Sequence, residues 1–186
     1  MMCHGTRHCT PLLAIHGGAG TIRRDKMTPE REAEYRAVLA ESLQSGFAIL
    51  TDGGPALDAV QTAVRVMEDS PLFNAGRGAV FTHEGVNECD ACLMDGSNRA
   101  VGAVAAVRRI RNPIDLARLV LEKSSHVLLS GNGAEQFAVQ HGMLLEHDPK
   151  YFFTEHRWQQ LQDAIEKEEA QKGKAFTQLD HTDDER

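Results

Sequence analysis

Apolar residues recur at helical spacing in the first part of the chain. The first stripe joins residues four positions apart, Tyr35, Leu39, Leu43 and Phe47. Thr28, Pro29 and Glu30 precede it, and this order is typical of an N-cap, a first helical proline and an acidic first turn. We therefore predict a helix that packs its apolar stripe on a sheet and ends at Gly53-Gly54.

The same kind of periodicity predicts further helices. They are Ala56 to Met67, the residues after Asn112-Pro113, Asn132 to about His141, and Thr154 to about Ala170. Their inward faces are Leu57, Val60, Val64 and Met67 in the first of these, Leu116, Leu119 and Val120 in the next, and Trp158, Leu161 and Ile165 in the last.

Short apolar runs bounded by turn residues predict the strands. The candidates are Leu12 to Ile15, Ala79 to Thr82, Glu88 to Met94, Ala100 to Val107, and His126 to Leu129. Asp95-Gly96 is a strong hairpin signal, so the strands on either side of it should pair antiparallel. Because strands and helices do not alternate strictly, we predict an α+β fold with a mixed or antiparallel sheet, not a doubly wound parallel one.

Charge and cysteine usage narrow the class of protein. The net charge is -7 and no stripe of Lys or Arg is present, which argues against a nucleic-acid partner. The apolar runs are too short to span a bilayer, so we expect no membrane partner and a soluble, cytoplasmic protein. The four cysteines, Cys3, Cys9, Cys89 and Cys92, fit a reducing compartment. The single CxxC lacks a second pair for zinc, and we interpret its thiols as small buried residues.

The stretch from Glu68 to Gly78 combines a helix stop with an unusual backbone path. Pro71 moves Ser70 out of the helical region, and Gly76 and Gly78 can adopt positive φ. Such a loop exposes carbonyl oxygens and the amide of Asn74. A plain helix stop before a strand is the alternative.

Known catalytic motifs are missing from the sequence. It contains no G-x-S-x-G, no H-E-x-x-H and no Walker-type loop. The run His16-Gly17-Gly18-Ala19-Gly20 fits an anion-binding loop and equally a tight turn after a strand. The residues alone thus indicate an α/β layer domain with two suggestive loops and no visible nucleophile.

Five segments taken together resemble the isoaspartyl peptidase and plant-type L-asparaginase family. They are His16 to Gly20, Ala56 to Val60, Ser70 to Gly78, Asp90 to Gly96, and Arg111 to Ile114. The resemblance runs in register from about Leu12 to Gly142. It implies an N-terminal nucleophile hydrolase that cleaves isoaspartyl dipeptides and L-asparagine, of which this chain is the α subunit.

The resemblance also implies how the protein is divided. Residues 1–10 would be a disordered extension, 11–170 the α part of a four-layer αββα sandwich, and 171–186 a flexible linker stub before an autocleavage site. The nucleophilic Thr would begin a separate β subunit, with an (αβ)2 assembly. No catalytic residue is then expected in this chain.

Supporting residues can be transferred by the same match. Asn74 would lie near the nucleophile and help to hold it, and Gly17 and Gly18 would lie beside the processing site. No cofactor for catalysis is implied, but a structural Na+ is. Its ligands would be the main-chain oxygens of Met67, Glu68, Ser70, Phe73, Ala75 and Arg77, which suit a hard cation.

Two other functions stay open at this point. A related hydrolase, of the glycosylasparaginase or taspase kind, would share the fold. A non-catalytic fragment that acts as a binding module would share it too.

Overall fold

The computed structural model describes residues 10–19, 27–148 and 150–170. The helices in that part of the chain are α1 (Pro29–Thr51), α2 (Ala56–Asp69), α3 (Pro113–Lys123), α4 (Gly131–Gln140) and α5 (Glu155–Ala170). The strands are β1 (Cys89–Asp95), β2 (Ala100–Val107) and β3 (Leu128–Ser130). Residues 1–9 and 171–186 lie outside the described residues, so the division into three segments stays a prediction.

Helix α1 begins and ends as predicted but packs differently. Thr28 Oγ1 accepts the Arg31 amide at 3.2 Å, and the helix gives way to Gly53, whose φ is +79°. The predicted stripe is wrong as a sheet contact, because α1 packs on α2 and leaves Leu43 38% and Phe47 37% exposed. The reason is the small residues on α1: a Cβ on Gly46 would lie 2.7 Å from the Ala59 carbonyl, so the two helix backbones are nearly in contact.

The closest part of this helix pair includes a buried hydroxyl. Ser42 is fully buried, and its Oγ donates to the Ala63 carbonyl at 2.7 Å. We expect Ser42→Ala to lower the free energy of unfolding by about 1 kcal/mol, the usual value of one buried hydrogen bond. Denaturant unfolding checks this, with Ser45→Ala, at a more exposed position of α1, as the matched control. Equal stability of the two variants would contradict it.

The sheet has the order β1-β2-β3, with β1 and β2 antiparallel and β2 and β3 parallel. This confirms the mixed sheet and the hairpin, whose turn places the Arg99 amide 2.7 Å from the Asp95 carbonyl. The last strand begins two residues later than predicted. Segment 79–82 forms only an isolated bridge, Phe81 to Asn87, because the chain turns back at once through Gly85.

The predicted strand Leu12 to Ile15 does not form. Residues 10–19 have no regular secondary structure, and Leu12 is 85% exposed. A strand needs a paired neighbour, and no described strand lies beside this segment. The prediction of a strand over Leu12 to Ile15 is therefore wrong for the described part of the chain.

The hydrophobic core lies between the sheet and helices α2, α3 and α4. Its buried members include Leu93, Val104, Val107, Ile110, Ile114, Leu116, Val120 and Ala138. Gly102 brings β2 against α3: a Cβ there would lie 2.6 Å from that of Leu121 and closer still to the Ala117 carbonyl. Six of the seven inward positions predicted for α2 and α3 are confirmed, since Leu57, Val60, Val64, Leu116, Leu119 and Val120 all belong to this core; Met67 does not.

The two cysteines of the CxxC do not share an environment. Cys89 is buried and Cys92 is exposed. Burial raises the pKa of the Cys89 thiol to about 12, which makes it an inert apolar residue as predicted, whereas the prediction is wrong for Cys92. The described residues contain no group of three or more His, Cys, Asp or Glu that could hold a metal ion. None of their helices is long and apolar enough to cross a membrane.

The buried carboxylate of Glu135 holds the segment that follows β2. Glu135 on α4 is 4% exposed and accepts the amides of Arg108 at 2.8 Å and Arg109 at 2.9 Å. It also accepts the Arg109 guanidinium at 2.8 Å. Burial opposes ionisation, but these donors outweigh it and hold the pKa of Glu135 below its usual value.

Glu135 is therefore expected to make the free energy of unfolding fall as the pH is lowered. A carboxyl whose pKa is lowered by folding stabilises the protein above its unfolded pKa of about 4.3, and this contribution disappears as the pH falls through the folded pKa. We expect Glu135→Gln to be less stable at pH 7 and to lose less stability on acidification than the wild type. Unfolding midpoints between about pH 7 and pH 3 measure this. The exposed Glu41→Gln is the control, and an unchanged acid profile of Glu135→Gln would contradict the expectation.

Candidate functional site

The stretch from Glu68 to Gly78 begins in the last turn of α2. It has the predicted backbone path at Ser70 and at Gly76, whereas Gly78 does not adopt a positive φ. Helix α2 ends at Asp69, and Ser70 is extended ahead of Pro71 with φ -91° and ψ 135°. A 3-10 turn, Gly76–Gly78, closes the loop, and Gly76 has φ +49°. We call residues 68–78 the support loop.

Carbonyl oxygens crowd against the two glycines of the support loop. A Cβ on Gly76 would lie 2.7 Å from that of Glu68 and closer still to the Glu68 carbonyl oxygen. A Cβ on Gly78 would lie 2.8 Å from the Pro71 carbonyl oxygen and closer still to that of Phe73. Both positions thus admit no side chain, and the loop wraps its main-chain oxygens tightly around the glycines.

Asn74 is exposed at the tip of the support loop, and its orientation is fixed. Its Oδ1 accepts the Val80 amide at 2.9 Å. Among the described residues, none accepts a hydrogen bond from its amide nitrogen. The side chain therefore presents two N–H donors at a set position, which is what a group that binds a polar oxygen requires.

Tyr35 on helix α1 packs against the support loop. The buried Phe73 ring meets the Tyr35 ring edge to face, with centroids 5.6 Å apart, and the Tyr35 hydroxyl donates to the Leu72 carbonyl at 3.1 Å. A Cβ on Gly17 would lie 3.0 Å from Leu39 and 3.4 Å from Phe73. The structure thus brings Gly17 next to the support loop. Gly18, with φ +122°, has open space around it.

The predicted cation ligands can be compared with this geometry. The Met67 carbonyl accepts the Ser70 amide at 3.2 Å, and the Ala75 carbonyl accepts the Gly78 amide at 3.0 Å. Each keeps a second lone pair. Main-chain oxygens from one tight loop form a donor set that fits a hard cation such as Na+. The roles of Met67, Glu68, Ser70, Phe73, Ala75 and Arg77 as ligands stay predictions.

The side chain of Glu68 has a structural contact that the sequence did not reveal. Glu68 is 3% exposed, and its Oε1 accepts the Ile114 amide at the start of α3 at 3.0 Å. Burial raises the pKa of this carboxyl to about 8. Asn112 occupies the N-cap position of α3 without a capping hydrogen bond from its side chain, and its Nδ2 donates to Asp69 at 2.9 Å. Glu68 and Asn112 thus fasten the support loop to α3.

Arg157 is the second contact that sequence reasoning missed. It lies on α5, is 3% exposed, and donates from Nε to the Gly78 carbonyl at 2.9 Å. The two residues are 79 positions apart in the chain. A buried guanidinium directed at the end of a loop leaves no local pattern in the sequence.

Comparison with known protein families identifies the chain. A family model described as asparaginase matches residues 9–186. The chain belongs to the asparaginase family. Its place in the N-terminal nucleophile hydrolase superfamily agrees with an α+β structure built on a small sheet. The family resemblance that the five segments indicated is thereby confirmed.

Relatives of known name agree with this membership. The chain is 50% identical to an isoaspartyl peptidase of Salmonella typhimurium over 81% of this chain and 48% of the relative. It is 47% identical to the isoaspartyl peptidase of Escherichia coli over 92% of this chain and 51% of the relative. A plant-type L-asparaginase of Pyrococcus abyssi is 43% identical, over 90% of this chain and 53% of the relative. The chain thus spans about half the length of these relatives.

Proposed function

We propose that this chain is the α half of a hydrolase that cleaves isoaspartyl dipeptides and L-asparagine. The observation that carries the proposal is the fixed amide of Asn74 on the support loop, in a family whose named relatives are isoaspartyl peptidases and asparaginases. The nucleophile is the N-terminal Thr of a second chain, and its free amine acts as the base. Asn74 then lies beside this Thr and donates to it or to the substrate.

The partner in this proposal is a β subunit from the same precursor, in an (αβ)2 assembly. Unpaired apolar residues of the described chain support it: Met94, on the outer side of β1, is 53% exposed, and Leu12 is 85% exposed. A second sheet laid on the exposed face of β1 would complete the αββα sandwich. A cytoplasmic location is part of the proposal, since the cysteine usage fits a reducing compartment.

One measurement of mass and one set of assays test this function. The complete protein is purified, and its intact mass shows whether a partner chain begins with Thr. Hydrolysis of β-aspartyl dipeptides, L-asparagine and glycosylasparagine is then compared. We expect a Thr-initiated partner and activity on the first two substrates. Preference for glycosylasparagine would indicate the related hydrolase, and the lack of any partner would indicate a binding fragment; either result overturns the proposal.

The bound Na+ is proposed to fix the support loop, with the six main-chain oxygens named above as ligands. We expect exchange of Na+ for choline to lower the unfolding midpoint, because a ligand that binds only the folded state stabilises it by mass action. At a concentration of about 100 times the dissociation constant the effect is about 2.7 kcal/mol. Thermal unfolding at constant ionic strength measures it. Equal midpoints in Na+ and choline would contradict a specific site.

A further inference from the structure

We propose that Arg157 is a positioning residue, which orients the Gly78 peptide and, through it, the side chain of Asn74. The proposal rests on the function proposed above for Asn74. It assigns a role in turnover to a residue of α5 that touches neither nucleophile nor substrate.

The burial of Arg157 is the first observation. A guanidinium is rarely buried unless hydrogen bonds compensate the loss of water. Arg157 is 3% exposed, and it donates to the Gly78 carbonyl and, from Nη1, to Gln160 Oε1, both at 2.9 Å. Hydrogen bonds from a charged donor are about twice as strong as neutral ones. The direction of the Gly78 carbonyl is thus set from α5.

The backbone of Gly78 is held at both its amide and its carbonyl. Its amide donates to the Ala75 carbonyl at 3.0 Å, while its carbonyl accepts from Arg157. The carbonyl oxygens of Phe73 and Pro71 pack against its α-carbon. A rotation of the Gly78 peptide would therefore move the Phe73 and Ala75 oxygens as well.

Asn74 is connected to the same peptide. The Val80 amide, which holds Asn74 Oδ1 at 2.9 Å, lies two residues after Gly78. A series of hydrogen bonds and backbone therefore leads from Arg157 to Gly78, then to Val80, and back to Asn74. Displacement by about 1 Å of a group that must meet a reacting atom can lower the rate by about a hundredfold.

Aromatic rings of helix α5 and of the residue segment before it pack against this region. The Trp158 ring meets the Phe81 ring at a centroid distance of 5.3 Å and lies 6.0 Å from the Phe153 ring. Phe81 belongs to the short hairpin that continues from the support loop. Because Trp158 directly follows Arg157 in the chain, the aromatic contacts keep the guanidinium within hydrogen-bond distance of the Gly78 carbonyl.

The test uses the complete enzyme with Arg157→Met and Arg157→Lys. Met keeps the apolar stem without a donor, and Lys keeps the charge without the Nε donor. We expect kcat to fall about tenfold or more in the Met variant and less in the Lys variant, with KM within about twofold. Hydrogen exchange of residues 74–80 should accelerate in parallel. Gln159→Met, at an exposed position of α5, is the matched control and should change neither quantity.

A double variant shows whether Arg157 acts through Asn74. If it does, Arg157→Met combined with Asn74→Ala should be no slower than Asn74→Ala alone. Additive losses, an effect on KM alone, or unchanged exchange of residues 74–80 in both Arg157 variants would overturn the proposal. If the wild type hydrolyses none of the substrates, the proposed function fails, whereas the exchange data still decide whether Arg157 fixes the loop.

Discussion

Gly78→Ala is expected to abolish the native support loop. The added methyl would lie 2.8 Å from the Pro71 carbonyl oxygen and overlap that of Phe73, and both are backbone atoms that cannot move aside alone. Overpacking commonly costs about 1–3 kcal/mol, and a clash with fixed backbone lies at the upper end or beyond. We expect a clear fall of the unfolding midpoint and loss of detectable hydrolysis.

The control for this variant is Gly96→Ala in the turn between β1 and β2. A Cβ on Gly96 has no heavy atom within 4 Å. Its effect should stay within about 0.5 kcal/mol, as for most surface substitutions. If Gly78→Ala were as stable and as active as Gly96→Ala, the crowding of carbonyl oxygens around Gly78 would have no functional meaning.

Asn74→Ala is expected to have the second large effect, on turnover. Removing the amide deletes both exposed N–H donors, and loss of one donor that acts at a reacting oxygen costs about 100 to 1,000-fold in kcat. Phe73→Leu should reduce kcat less, because the Phe73 carbonyl remains. Steady-state kinetics of the assembled enzyme compare the two variants.

Asn74→Asp separates the two contacts of this side chain. Aspartate keeps an oxygen for the Val80 amide but has no N–H to donate. We expect it to fold like the wild type and to lose turnover like Asn74→Ala. If Asn74→Ala and Phe73→Leu were both fully active, the support loop would have no role in turnover and would act only as a turn.

Local signals in the sequence predicted much of the fold. Each of three features depends on a few neighbouring residues, and the structure confirms them: the apolar faces of α2 and α3, the cap at Thr28 and the Asp95-Gly96 hairpin. The support loop was predictable for the same reason, because Pro71 restricts the backbone of Ser70 and Gly76 permits a positive φ.

Errors arose where distant parts of the chain decide the packing. The large apolar residues of α1 suggested a sheet contact, yet small residues, Ser42 and Gly46, set the close approach to α2. The hydrogen bonds of Glu68 to Ile114 and of Arg157 to Gly78 join residues 46 and 79 positions apart. Neither pair follows a periodic pattern, so no reading of neighbouring residues could find it.

The packing of α5 has a consequence for the dynamics of the protein. Its aromatic contacts are with Phe81 and Phe153, outside the sheet, whereas α3 packs directly on β1 and β2. Elements with few core contacts open with a smaller free energy than the global unfolding reaction. We therefore expect helix α5 to open with a smaller free energy than the sheet, and each such opening would withdraw Arg157 from Gly78.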